Sequence, residues 1–81
     1  MGREYKIKCA PFKDSDLANL LHKLPSPIAR PKLQEIYNYR IDNDGYYLID
    51  HFVNRSVAAQ ALQLFLDAAL SSSDSVSIEE P

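Results

Sequence analysis

Residues 33–53, LQEIYNYRIDNDGYYLIDHFV, constrain this chain more than any other stretch. Two tyrosine-rich runs with apolar residues at alternate positions flank Asp42-Asn43-Asp44-Gly45, a tetrapeptide suited to a turn. The spacing predicts a β-hairpin with a type I turn, closed by Gly45 in the left-handed region as a G1 bulge. Asp42 then pairs with Tyr46, and the register runs back through Ile41–Tyr47, Tyr39–Ile49 and Tyr37–His51. Those residues and Val53 form one strongly apolar face. Arg40–Leu48, Asn38–Asp50 and Ile36–Phe52 occupy the other. A slip of one residue in one strand would exchange that strand's faces.

The segments around the hairpin read more simply. Tyr5, Ile7 and Cys9 alternate with Glu4, Lys6 and Lys8, the pattern of a strand with one buried and one wetted face that stops at Pro11. Asp14 or Ser15 caps a helix with Leu17, Leu20, Leu21 and Leu24 on one stripe, ended by Pro25. Three prolines stiffen the connection from Pro25 to Lys32, where Arg30 and Lys32 offer an anion two positive charges; a solvated crossover is the plainer reading. Asn54 or Ser56 starts a second helix that runs to about Leu70. Its core side is Val57, Ala58, Ala61, Leu62, Phe65 and Ala69, and Leu66 and Leu70 lie on one flank, making the apolar surface wider than one sheet needs. Residues 1–73 thus form a single α+β domain. Residues 74–81 are an acidic tail that forms either a short edge strand or a disordered end.

Composition limits what such a domain can do. With 81 residues, 46% hydrophobic and 25% charged, the chain is an ordinary small globular domain near the lower limit of what a core alone stabilises. One cysteine rules out an intrachain disulfide, and Cys9 is expected to pack as a small hydrophobe. The net charge of −2 owes three acids to the tail, and no basic stripe suggests a nucleic-acid partner. No apolar run approaches a membrane span, and no secretory signal precedes the first strand, so a cytoplasmic protein is expected. Cys9, His22 and His51 are too dispersed for a metal site. With two glycines the chain has no phosphate loop, and no cofactor is implied.

The order β-α-β-β-α, with a short final β, resembles the split-βαβ arrangement called ferredoxin-like, an antiparallel sheet with two helices on one face. The same order resembles the RNA-recognition motif, whose key strand wants a basic residue, glycine and alternating aromatics. Gly45, Tyr46 and Ile49 fit that pattern; Asp44, Tyr47, Leu48 and His51 do not, and Lys6 stands where the first strand would offer a stacking aromatic. The topology also resembles small dimeric α+β-barrel proteins, a group of cofactor-free monooxygenases and binding proteins.

In the hairpin register above, Ile36, Leu48 and Phe52 cluster on the open face beside Arg40, and Leu66 and Leu70 make a second patch. Both are candidate interfaces. Tyr37, Tyr39 and His51 are the candidates for lining a pocket. Asp50 and His51 point to opposite faces, so they cannot act as an orienting pair. The expectation is a non-enzymatic, homodimeric interaction or regulatory module, bound to itself or another protein. The alternatives are a small-molecule binder or cofactor-free enzyme of the dimeric α+β-barrel type, and an accessory or inhibitor protein acting on another macromolecule.

Overall fold

The computed structural model describes residues 2–10 and 14–81, so the strand stop assigned to Pro11 lies outside the described residues. The elements follow as β1 (Arg3–Lys8), α1 (Asp14–Lys23), β2 (Ile28–Ala29), β3 (Gln34–Glu35), β4 (Tyr37–Asp42), β5 (Gly45–Asp50), α2 (Arg55–Ser72) and β6 (Ser77–Glu79). Four strands make an antiparallel sheet in the order β4-β5-β1-β6. The fold is α+β, with both helices contributing to one core. The stiffened connection holds more structure than its prolines suggest, because β2 and β3 pair as a separate two-stranded ribbon. The amide of Ile36 donates to the Pro27 carbonyl at 2.7 Å and ties the ribbon's base.

Each helix carries its own terminal signals. α1 has Asp14 and Asp16 in its first turn and His22 and Lys23 in its last, the charge order that complements the helix dipole. The Asn54 side chain caps α2 by accepting the Val57 amide at 3.2 Å. Ala58, Ala61 and Ala69 are buried along α2, and such small side chains let its backbone lie close to the sheet. Phe65 fills the space that remains, its ring centroid 4.7 Å from that of Tyr46 and 5.6 Å from that of Tyr39. Leu20 of α1 joins Ile7, Ile36, Tyr37, Tyr46, Leu48 and these α2 residues in one core. Cys9 is half-buried against it, and burial raises its thiol pKa.

The hairpin register differs from the one its turn predicts. Asp42 pairs with Gly45, and the ladder runs Ile41–Tyr46, Arg40–Tyr47, Tyr39–Leu48, Asn38–Ile49 and Tyr37–Asp50. The loop is therefore the two residues Asn43 and Asp44, with Gly45 in strand register and no bulge. In β4 the expected core face stands. In β5 the faces are exchanged: Tyr46, Leu48 and Asp50 are buried, while Tyr47 and Ile49 lie on the open side and Val53 is exposed.

The cause is the third strand. Ile7 pairs with Tyr46 and Tyr5 with Leu48, so the apolar alternation of β1 selects which β5 residues turn inward. The acidic tail enters the same sheet, since β6 pairs with Lys6–Lys8 along the free edge of β1.

Candidate functional site

On the open face, charged groups sit where an apolar patch was expected. Lys6 reaches between Asp42 at 2.7 Å and Asp44 at 2.8 Å. Gly45 has no side chain to stand between β1 and β4, which lets this contact cross β5. Arg40 takes Asp42 from the other side at 2.8 Å, and its guanidinium lies 4.9 Å over the Tyr47 ring. The Tyr47 hydroxyl donates to Glu4, and Lys8 pairs with Glu79 at 3.1 Å. Hydrogen bonds from Arg40 and then Lys6 hold the Asp42 carboxyl at about 2, against an ordinary 3.8. Asp42 and then Asp44 raise the Lys6 ammonium. This surface is a lattice of satisfied pairs, and such a lattice resists dehydration.

The candidate interface residues separate accordingly. Ile36 and Leu48 are buried in the core, 4% and 0% exposed, and so leave the open face. Phe52 is exposed, with the Arg55 guanidinium 5.3 Å over its ring. Arg40 is exposed but engaged with Asp42 and Tyr47. Leu66 is half-buried and Leu70 exposed, both on α2.

Of the candidate pocket residues, Tyr37 is fully packed, and its hydroxyl donates to the Pro25 carbonyl at 2.5 Å. Tyr39 is partly exposed on the outer strand β4, beside Phe65. His51 Nε2 lies 2.5 Å from Asn38 Oδ1 and 3.6 Å from Glu35 Oε2 at the sheet's end. The three do not converge. Neither the cavity between the helices nor the one at the start of α2 is lined by any of them. Among the described residues, no group of His, Cys, Asp and Glu is placed to hold a metal ion.

Part of the apolar surface that remains lies along one flank of α2, while Leu21, Leu33, Tyr39, Phe52 and Val53 are exposed elsewhere. Leu64, Ala68 and Ser71 face the cleft against α1, so Leu62, Leu66 and Leu70, spaced four apart, run along the opposite side. Ile78 of β6 pairs with the inward-facing Ile7, and it therefore lies on the helix side of the sheet. Leu70 is 55% and Ile78 49% exposed, and Ile78 lies in β6 at the edge of the sheet.

No protein-family model matches the chain, and no curated protein or solved structure is significantly similar to it. No helix among the described residues is long and apolar enough to cross a membrane.

Leu66 and Leu70 were legible as a stripe too wide for one sheet, whereas Leu62, read as core-facing, also lines the cavity at the start of α2. The Lys6–Asp42–Arg40 lattice was not, because it depends on the strand register. Its one available signal was the alternation of Tyr5 and Ile7 against Tyr46 and Leu48.

Proposed function

We propose that the protein is a small non-enzymatic interaction module, ferredoxin-like and cytoplasmic, that works as a homodimer. The observation that carries this reading is the exposure of Leu70 on α2 and Ile78 on β6, with the half-buried Leu66 one turn from Leu70. The ferredoxin-like part is supported by β1 and β5 lying side by side at the sheet's centre, with β4 and β6 at its edges. The β2–β3 ribbon is an addition to that arrangement.

A second copy is the favoured occupant because β6 ends the sheet with a strand edge that a copy of itself can extend. An antiparallel β6–β6 contact about a two-fold axis sets Ile78 against its own copy, with Leu70 assigned to the same seam. Glu79 already pairs with Lys8, which reduces the like-charge repulsion across such a contact.

Light scattering at high micromolar concentration tests the reading. The native chain is expected at twice its 9.2 kDa mass. Leu70→Lys and Ile78→Glu should each return it to monomer with an unchanged circular dichroism spectrum, and Phe52→Lys should leave the dimer intact. A native chain that stays monomeric at that concentration would overturn the proposal.

A further inference from the structure

The cavity of about 370 Å³ at the start of α2 holds two opposite charges that do not meet. Its lining includes Tyr5, Asp50, Arg55, Ser56, Ala59 and Leu62. Asp50 is the only buried charged residue among those described, 6% exposed. Its Oδ1 accepts the Phe52 amide at 2.8 Å, and among the described residues no hydrogen bond reaches Oδ2. Asp50 and Arg55 form no ion pair within 4 Å, although both line this cavity. A buried carboxylate is costly without a partner, and a guanidinium beside it is the natural one. The Arg55 guanidinium lies instead over the Phe52 ring.

We propose that this cavity binds a free α-amino acid with an apolar side chain. The ligand's ammonium would meet Asp50 Oδ2, and its carboxylate would meet Arg55 and the Ser56 hydroxyl, giving each unpaired charge its complement. Tyr5, Ala59 and Leu62 supply an apolar wall for the side chain. The volume lies at the small end of the range for ligand sites, which suits a ligand of this size rather than a peptide or a nucleotide. A simple amine would leave Arg55 unmatched, and a simple carboxylate would leave Asp50 unmatched. The proposal goes beyond the homodimer reading and does not depend on it.

The test is a titration followed by amide chemical shifts, with L-leucine and L-phenylalanine as probes against the full chain. Saturable shifts are expected at Tyr5, Asp50, Arg55 and Ala59. N-acetyl-leucine, which lacks the cation, and leucinamide, which lacks the carboxylate, should each bind about tenfold more weakly or worse. Asp50→Asn keeps an oxygen for the Phe52 amide and should weaken leucine binding to the same degree. Arg55→Met, on an exposed position, tests the other charge without risk to the core. The proposal is overturned if neither probe gives saturable shifts at these residues by about 10 mM. It is equally overturned if leucinamide or N-acetyl-leucine binds as well as leucine, or if Arg55→Met leaves the affinity unchanged.

Discussion

A methyl group placed on Gly45 would sit 1.8 Å from the Ile7 carbonyl oxygen, and the residue's φ is 143°. Both facts demand glycine, the first because β1 presses on this point of β5 and the second because a Cβ disfavours that backbone region. Gly45→Ala should therefore cost at least about 2 kcal/mol, read as a lower midpoint in urea unfolding. A midpoint equal to that of the native chain would show that β1 does not approach so closely. The carboxylates next to the turn make a different prediction, in pH. The folded pKa of Asp42 is depressed to about 2 by Arg40 and Lys6, and that of Asp44 is lowered by Lys6. A depressed carboxyl contributes stability that is complete above its ordinary value of 3.8 and is lost as pH falls through the folded value. Unfolding midpoints should thus drop between about pH 4 and pH 2. Arg40→Met and Lys6→Met should each flatten that drop; an identical pH profile in both would mean the pairs add nothing in solution.

At the scale of elements, the helices were legible and the hairpin register was not. Helical stripes are local: Leu17 and Leu20 of α1, and Ala58, Ala61, Phe65 and Ala69 of α2, repeat at the spacing of one helix face and need no partner to be recognised. Asn54 could be read as a cap for the same reason. A strand's faces depend on its neighbours. Asn43-Asp44-Gly45 is compatible with either a two-residue or a three-residue loop, and the choice shifts every β5 residue by one. In β5 both faces are apolar enough to be buried, since Tyr47 and Ile49 alternate with Tyr46 and Leu48. Only pairing with β1 separates them. That is why Leu48 leaves the candidate patch, and why the turn-based register puts Asp50 on the open face; Ile36 leaves it because it lies between β3 and β4, outside the alternation of either strand. Two substitutions discriminate the registers directly. Leu48→Lys puts an unpaired charge in the core and should unfold the chain or cost more than about 3 kcal/mol. Ile49→Lys, on the open face beside Glu4 and Asn38, should change stability by less than about 1 kcal/mol. The turn-based register predicts the reverse, so circular dichroism melts of this pair decide between the two.

At the scale of the whole molecule, the chain is spread more thinly than its mass requires. It exposes 5408 Å², where a compact monomer of 9.2 kDa exposes about 4,900 Å². Its radius of gyration is 12.5 Å, where 81 residues pack to about 11.7 Å. Three of the ten buried hydrophobic residues among those described are alanines, so the core is modest in volume as well as in number. Burying Leu70 and Ile78 against a second copy would add apolar area where the single chain is short of it, and folding would then be linked to association. The consequence is thermal. If the folded state is a dimer and the unfolded state is not, a tenfold rise in protein concentration stabilises each chain by half of RT ln 10 and raises Tm by about 3 °C. Leu70→Lys should abolish that dependence while leaving the melting point at low concentration nearly where it was, because Leu70 is exposed in the single chain. Melts of both proteins over a hundredfold concentration range read the effect. A native Tm that does not move with concentration would separate the modest core from any need for a partner.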